Sequence, residues 1–337
     1  MKLKRIGIDL AKYVFQVHGV DAAEQVVVRK RLTRGQMLRF FVQVEPTLIG
    51  MEACGSAHYW ARELMKRGHT VKLIPPQYVK PFVKRGKNDR NDAEAISEAA
   101  ARPGMRSVPI KTAERQADAM LLSVRELLVG QRTQLVNALR GHAAEFGLVT
   151  RTGAKGVTQL LTDAAGDPAL PKPAADALAL LGGEIDRLEV RLVEIDTQLM
   201  TRHKETSLSQ MLAEVPGIGP ISALSLVLRV DPGQFQSGRH LASWLGLTPR
   251  DHSTGGKQRL GGISRAGNER LRQLLVLGAT AVIRHAKPGR ASAWLLALLE
   301  RRPRKLAAVA LANKMARIVW AMMTSGEAYR QPKPVAG

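Results

Sequence analysis

Strand-like and helix-like patterns alternate over roughly the first third of the chain, and this alternation restricts the fold more than any other feature. Three adjoining strand patterns come first, at residues 4–10 (KRIGIDL), 14–21 and 24–32. Helix and strand patterns then alternate, with further strands predicted at residues 46–53 and 70–76. Adjoining strands followed by helix–strand alternation predict an α/β domain at the N-terminus.

The middle of the chain has a different pattern. Two long helical segments, residues 112–147 and 174–205, are separated by a connector with glycine and proline near "GDPALPKP". Apolar residues of the second segment recur at alternating intervals of three and four, which is typical of a coiled-coil seam. We therefore expect an antiparallel helical hairpin that spaces two domains or dimerises, although a plain helical bundle fits the pattern equally well. The seam positions are Ile185, Leu188, Leu192, Ile195 and Leu199.

The remainder of the chain is predicted to be mainly α-helical. Residues 214–223 (EVPGIGPISA) have the form of a helix-hairpin-helix, and glycines and polar residues predict a loop from about 248 to 268, followed by a buried helix. The last dozen residues read as a frayed tail. The predicted domains are thus 1–110 (α/β), 111–205 (helical spacer or oligomerisation segment), 206–325 (C-terminal helical domain) and 326–337 (flexible tail).

Composition narrows the choice of partner. The chain has a formal net charge of +22, which favours a polyanion, because each neutralised phosphate releases counterions. Nucleic acid is a better fit than a membrane surface, since no basic amphipathic anchor, lipidation signal or span of about 20 apolar residues is evident.

The single cysteine, Cys54, excludes an internal disulfide and a cysteine zinc cluster, and a reducing cytoplasm is expected. Aromatic residues are only 4% of the chain, so contact of Lys and Arg with the nucleic-acid backbone is expected rather than base stacking.

Four acidic residues are the first candidate site. Asp9 ends the first predicted strand and Glu52 ends the fourth, while Asp89 and Asp92 begin a helix and, three residues apart, share one of its faces. Four carboxylates converging at one sheet edge would repel one another without a cation, and two Mg²⁺ ions about 4 Å apart would resolve this and hold a phosphodiester. Taken singly, Asp9 could end a strand and Asp89 could cap a helix.

Two C-terminal segments are candidates for phosphate binding. The turn at Gly217 and Gly219 can expose backbone N–H groups to a phosphate, or it can be an ordinary glycine turn between packed helices. In residues 250–272 six Lys or Arg accompany a hydroxyl pair, Ser253 and Thr254, that is followed by two glycines. The spacing alone predicts a phosphate-binding loop, in which surrounding guanidinium groups could also activate a serine toward a phosphodiester.

The three acidic segments "GIDLAK", "GMEACGSAHYW" and "KNDRNDAEA", with "VPGIGPISA" and "GLTPRDHSTGGKQRLGGISRAGNERLR", resemble the DEDD transposases of the Piv/MooV invertase type, the IS110 family with its IS1111 branch. The resemblance covers nearly the whole chain, with Asn88 where a threonine is more common. It implies an RNase H/RuvC-like N-terminal domain whose catalytic, Mg²⁺-binding residues are Asp9, Glu52, Asp89 and Asp92.

The same resemblance gives the C-terminal segment a role. In related recombinases a serine of this segment attacks DNA and forms a covalent phosphoserine link; Ser253 matches it best, and Thr254 is the alternative. His252 could orient the hydroxyl or be merely solvated. The nucleic-acid contacts that the resemblance and the charge pattern assign are Gly217, Gly219, Arg250, Thr254, Lys257, Arg259 and Arg265.

The resemblance also implies partners: DNA (element ends and target), a structured guide called the bridge RNA, and a homo-oligomer, either dimer or tetramer. Because the carboxylates and the serine lie in separate predicted domains, a site shared between protomers is plausible. The expected function is that of a cytoplasmic, nucleoid-associated DNA transposase that cleaves and rejoins DNA. A metal-only RuvC-like junction resolvase, with Ser253 as a phosphate contact, and a non-enzymatic DNA-binding protein are the alternatives.

Overall fold

A computed structural model describes residues 2–84, 89–257, 259–288 and 291–330, and for residues 89 and 90 it describes the backbone only. The chain divides into two units, Met1–Gln116 and Ala117–Gly337. Each unit is described by itself below, and the four-part division expected from the sequence stays a prediction.

The five predicted strands of the N-terminal unit form one mixed sheet. Its strand order is β3-β2-β1-β4-β5; β1, β2 and β3 are antiparallel neighbours, whereas β4 and β5 run parallel to β1. The prediction of an α/β domain is confirmed. The strands are β1 (Arg5–Leu10), β2 (Val14–Val20), β3 (Val26–Thr33), β4 (Leu48–Glu52) and β5 (Thr70–Ile74).

Helices cover both faces of this sheet. On one face, helices α1 (Arg34–Val42) and α2 (Ala57–Met65) bury an apolar layer that includes Ile6 and Ile8 of β1. A short helix α3 (Pro76–Val79) precedes α4 (Asp89–Ala101), which covers the opposite face. Since side chains alternate along a strand, Gly7 and Asp9 belong to the α4 face.

The C-terminal unit is mainly helical, as predicted. Its elements in chain order are α5 (Ala113–Ala144, which begins in the last residues of the first unit), α6 (Ala154–Gly166), α7 (Lys172–Glu205), α8 (Ser207–Ala213), α9 (Pro220–Arg229), α10 (Gly238–Trp244), β6 (Pro249–Asp251), β7 (Leu260–Ile263), α11 (Glu269–Arg284), α12 (Ala293–Arg301) and α13 (Arg304–Ser325). Helices α11 and α13 pack against each other at the centre of its largest apolar core.

The two long helices α5 and α7 are antiparallel. Three salt bridges join them, and the residue numbers increase along α5 while they decrease along α7. The pairs are Asp118 with Arg202 at 3.1 Å, Arg125 with Asp196, and Arg132 with Glu189 at 3.9 Å. Helix α6, which the sequence did not predict, packs against both of them through one apolar cluster. Four of the five seam residues of α7 are buried within the chain, namely Ile185, Leu188, Leu192 and Leu199. The coiled coil itself stays a prediction.

The predicted loop at 248–268 instead contains a short antiparallel hairpin made by β6 and β7. Its strands are almost entirely exposed, so they lack the alternation of apolar and polar residues by which a strand is recognised in sequence. Backbone hydrogen bonds hold the hairpin together, among them His252 N–H to Arg259 O at 2.9 Å.

Helix α13 is the one helix within the described ranges that is long and apolar enough to cross a membrane, by length and composition alone. It packs on α10, α11 and α12, and its buried residues, such as Ala312, Met315 and Val319, belong to the main core of the unit. We therefore assign it as a core helix.

Candidate active site

Helix α4 lies directly on the backbone of β1 and β4 at two glycines. A Cβ atom placed on Gly7 would be 2.1 Å from the carbonyl oxygen of Ala93, and one on Gly50 would be 2.7 Å from the Cβ of Ala100. No side chain fits at either position without a shift of the helix. The guanidinium of Arg5 fixes the later part of α4, because its Nε donates to the carbonyl oxygen of Ser97 at 3.1 Å.

Two acidic residues follow these glycines on the same face of the sheet. The neighbours Ile8 and Met51 are paired in the parallel register, and Asp9 and Glu52 are the next residues of their strands. Each lies two positions beyond its glycine, so both side chains stand on the α4 face near the carboxyl ends of β1 and β4. The chain direction of α4 brings the beginning of the helix, rather than its end, to this edge.

Asp92 completes this edge from the helix side. It immediately precedes Ala93, the residue whose carbonyl lies over Gly7, and it is half-buried like Asp9 and Glu52. Burial raises the pKa of Glu52, and the negative charge of Asp92 raises it further. The structure thus brings Glu52 and Asp92 within electrostatic reach of each other, with Asp9 beside Glu52 on the neighbouring strand.

The fourth predicted acid, Asp89, lies in the first turn of α4, and its side chain is outside the described residues. Within the described part of the chain, no three His, Cys, Asp or Glu side chains form a ready metal-binding group. The donor set nevertheless fits a hard divalent cation, because all of its atoms are carboxylate oxygens. A cation would also offset the two causes that raise the pKa of Glu52, its burial and the negative charge of Asp92.

The basic stretch in front of α4 is partly paired with acid. Lys84 donates to the carboxylate of Glu94 at 2.6 Å, and Arg29 of β3 approaches the same carboxylate at 4.0 Å. The neighbouring Arg85 and Lys87 lie outside the described residues. Glu94 is thus committed to a salt bridge, whereas Asp92, two residues earlier, makes none with a cation of the described residues.

Ser253 lies in the connection of the β6–β7 hairpin and is held by a local hydrogen-bond network. Its hydroxyl donates to the carboxylate of Asp251, and its backbone N–H donates to the same oxygen at 2.9 Å. The backbone N–H of Arg259 donates to the Ser253 hydroxyl at 3.1 Å. The side-chain oxygen is therefore fixed in position while remaining exposed to solvent.

Four cationic residues belong to the same segment of the chain as this serine. The hydrogen bonds from Ser253 hold the pKa of Asp251 below its usual value. The four cationic residues predicted to contact nucleic acid make no salt bridge to a carboxylate of the described residues, so their charges are available for phosphate. They are Arg250, Lys257, Arg259 and Arg265. Thr254 is also exposed, and its backbone carbonyl accepts from the N–H of Lys257 at 3.0 Å.

The glycine turn between α8 and α9 has a packing role. Gly217 has a φ of +88°, and a Cβ on Gly278 of α11 would lie 1.8 Å from the Gly217 carbonyl oxygen. The two glycines thus let α11 approach the turn backbone to backbone. Gly219 is exposed and precedes the first turn of α9, so its part in phosphate binding, like that of Gly217, stays a prediction.

Sequence reasoning missed three residues of these sites. Asp251 was counted only as an acid in a basic segment; the spacing of two between it and Ser253, which permits an aspartate turn, was the available signal. Arg272 is buried and donates to the carbonyl oxygens of Leu245 and Ala266, at 3.1 and 2.7 Å, which ties α11 to the segments before and after the hairpin. Gly278 had no local signal, because its close neighbour is 61 positions away.

Two models of known protein families match this chain. Residues 6–146 match a family model of DEDD transposases of IS110 elements, described as "Transposase", and residues 209–294 match "Transposase IS116/IS110/IS902 family". The DEDD family is generally dependent on a divalent metal.

Similar full-length proteins carry the same descriptions. Two proteins provisionally named as transposases, from Sinorhizobium fredii and Pseudomonas aeruginosa, are 54% and 52% identical; the matches cover 97% and 98% of this chain and 86% and 99% of theirs. The "Transposase for insertion sequence element IS1111A" of Coxiella burnetii is 41% identical over 97% of this chain and 92% of its own. Together, the matching segments and these relatives show that the chain belongs to the IS110/IS116 family of DEDD transposases and is a DNA transposase enzyme.

Proposed function

We propose that this transposase moves its insertion sequence with two sets of groups, a Mg²⁺-binding carboxylate site and a serine nucleophile. The observation that carries the proposal is the seating of α4 on Gly7 and Gly50, because it brings Asp92 to the strand ends that bear Asp9 and Glu52. The sheet order, with three antiparallel strands and two parallel ones, is consistent with an RNase H/RuvC-like domain.

The carboxylates would act as oxygen ligands at the sheet edge. Asp9, Glu52, Asp89 and Asp92 would hold two Mg²⁺ ions, and when bound these would supply Lewis-acid stabilisation of phosphate charge. The protein's own contribution is placement. Glu52 and Asp92 are kept close despite their repulsion because α4 cannot move away without losing its contact with the sheet.

Ser253 would carry out the strand transfer. Its Oγ forms a bond to the phosphorus, the bond from phosphorus to the leaving sugar oxygen breaks, and the DNA strand stays attached to the protein as a phosphoserine. The proton lost from Oγ is balanced by the proton that the leaving oxygen takes up. Arg250, Lys257, Arg259 and Arg265 would stabilise the charge on the phosphate oxygens, as guanidinium and ammonium groups do.

Asp251 would position the serine hydroxyl rather than deprotonate it. A general base works best with a pKa near the operating pH, whereas the pKa of Asp251 is lowered by its hydrogen bonds from Ser253. Its acceptor oxygen fixes the rotamer of Ser253, whose side chain stays exposed to solvent.

The remaining partners are proposals of the same kind. DNA is the substrate, and the surplus of positive charge also permits the bridge RNA as a guide. A homo-oligomer is supported by exposed apolar residues on the two long helices, such as Leu127 and Val193, since a second copy could cover them. We expect the protein in the bacterial cytoplasm, associated with the nucleoid.

The test of the nucleophile compares three proteins on a labelled DNA substrate that contains an element end. Ser253→Ala should bind DNA and Mg²⁺ as the wild type does but form no covalent protein–DNA species on a denaturing gel. Thr254→Ala, the matched control that also loses one hydroxyl, should still form it. Full strand transfer by Ser253→Ala would instead favour the metal-only resolvase mechanism, and an adduct lost only in Thr254→Ala would assign the nucleophile to Thr254.

A further inference from the structure

A groove of about 1050 Å³ runs along α13 beside the serine hairpin. One wall is the base of the hairpin, with Pro249 on β6 and Gly261 and Gly262 on β7. The groove therefore begins where the hairpin leaves the core of the C-terminal unit. None of the sequence-predicted contacts lines it.

The groove is basic. Three cations line it, Arg239 of α10 and Lys314 and Arg317 of α13, and no acidic residue does so among the described residues. None of the three makes a salt bridge to a described carboxylate, whereas many exposed cations elsewhere in the unit are paired with acids. Unpaired cations gathered in one concave surface attract a polyanion.

The packing of α10 on α13 explains why two of these cations are neighbours. A Cβ on Gly238 would lie 2.9 Å from the Cα of Arg317, so this glycine allows the two helices to approach each other closely. Arg239, the next residue, is thereby held on the same groove wall as Arg317. Helix packing thus fixes the backbones of these two residues next to each other, while their side chains are exposed.

The floor of the groove is apolar and suits the sugars of a nucleic-acid backbone. Leu306 is 57% exposed there, and the ring of Trp294 lies under the ammonium of Lys314 at 4.2 Å. With phosphates on the cationic rim and the apolar faces of the sugars against the floor, the groove fits the backbone of DNA, to which most protein–DNA contacts are made.

The groove also leads to the proposed nucleophile. Gly261 lies two residues from Arg259, about 7 Å along a strand, and the N–H of Arg259 is bonded to the Ser253 hydroxyl. We propose that this groove holds the DNA strand next to the phosphodiester that Ser253 attacks, with Arg239, Lys314 and Arg317 contacting its phosphates. The role of the bound DNA in the reaction rests on the proposed function of Ser253, but binding of DNA in the groove can be tested independently.

The first experiment measures affinity of the full chain for a labelled linear DNA duplex of mixed sequence over a range of salt concentrations. The double variant Arg239→Gln/Arg317→Gln should make the log–log slope less negative by about two, since about two phosphate contacts are lost. The matched control Lys172→Gln/Arg187→Gln removes two charges that are already paired with acids on α7, and it should leave the slope near that of the wild type. Equal slopes in both double variants would overturn the proposal.

The second experiment blocks the groove without removing charge. A Cβ on Gly262 would meet nothing within 4 Å, so Gly262→Leu places a side chain in the groove wall while leaving the fold intact. It should weaken DNA binding and lower the yield of covalent adduct, with unchanged thermal unfolding. Gly130→Leu on α5, where a Cβ also meets nothing within 4 Å, is the control and should bind as the wild type does.

The outcomes separate this inference from the proposed function. A slope change in the double variant, seen equally in a Ser253→Ala background, supports the groove even if no covalent adduct is ever found. Adduct formation with wild-type yield by both Gly262→Leu and Arg239→Gln/Arg317→Gln would leave Ser253 as nucleophile and overturn the groove. If these groove variants lost affinity for a structured RNA hairpin but bound the DNA duplex as the wild type does, the proposal would also be overturned, because the occupant of the groove would then be RNA.

Discussion

Gly7→Ala is the sharpest test of the geometry that assembles the acidic edge. The added Cβ would lie 2.1 Å from the carbonyl oxygen of Ala93, which is 1.3 Å inside the 3.4 Å at which ordinary contact begins, and 2.5 Å from the N of Ser97. Both atoms are backbone, so neither can swing aside. Helix α4 must therefore move off the sheet by about 1 Å.

The cost of that movement follows from what α4 buries. Ala93, Ile96 and Ala100 are 0–2% exposed, and a gap of this size forfeits about a quarter to a half of their dispersion contacts with the sheet. Overpacking of this kind costs about 1–3 kcal/mol. For a unit of this size the midpoint of thermal unfolding should fall by roughly 4–12 °C.

The assay must report on the N-terminal unit alone. Trp60 is the one tryptophan of residues 1–116, so unfolding can be followed by its fluorescence in a background in which the other three tryptophans are phenylalanine. Gly35→Ala is the control; a Cβ there meets nothing within 4 Å, and alanine in helix α1 should leave stability unchanged or raise it by up to about 1 kcal/mol. The activity of Gly7→Ala should fall further than its stability, by about 100-fold, because Asp92 is displaced from Glu52. A Gly7→Ala protein as stable and active as Gly35→Ala would refute the seating of α4 on this face.

Three further predictions test the proposed chemistry. Burial and Asp92 raise the pKa of Glu52, so the charge of Glu52 destabilises the folded state above that pKa. In melts at a series of pH values, Glu52→Gln should be more stable than the wild type at neutral pH, and this difference should shrink as the pH falls through the raised pKa. The variant should also respond less to Mg²⁺, and a difference in stability that does not change with pH would contradict the assignment. Asp251→Asn should keep wild-type DNA affinity and stability but lower the rate of covalent adduct formation by about 10- to 100-fold in single-turnover measurements, and an unchanged rate would remove its positioning role. Mixing inactive Asp92→Asn and Ser253→Ala proteins should restore partial strand transfer if protomers act together, while an inactive mixture, given proof of mixed oligomers, would argue for independent protomers.

The sequence predicted the N-terminal unit well because its patterns are local. The short, largely buried runs of β1 and β2 and the glycine that follows α2 are visible in windows of a few residues. The five strands were placed to within about two residues of their observed bounds. The order of the acids along the chain also indicated that they belong together. What the sequence could not supply is the contact of Gly7 with Ala93, since the two are far apart in the chain and a glycine shows only that something approaches it closely.

The C-terminal unit was harder to predict for the opposite reason. Its hairpin is exposed on both faces, so no apolar pattern marks β6 and β7, and its glycines were read as a loop. The groove along α13 depends on Arg239, Lys314 and Arg317, which come from helices more than 70 positions apart and look in sequence like ordinary exposed cations. Only folding shows which cations are left without an acid.

The geometry of the hairpin also distinguishes Ser253 from Thr254 as the candidate nucleophile, a choice that the sequence left open. A hydroxyl that attacks a phosphodiester gains from being held in one orientation before the substrate arrives, because less freedom is then lost in reaching the transition state. The Ser253 hydroxyl is held in this way by its bond to Asp251 and by the N–H of Arg259. The Thr254 hydroxyl has no hydrogen bond to any described residue, and this residue contributes through its backbone carbonyl, which closes the turn with Lys257. The two adjacent hydroxyls thus differ in preorganisation, and that difference favours Ser253 as the nucleophile and Thr254 as a residue that shapes the loop.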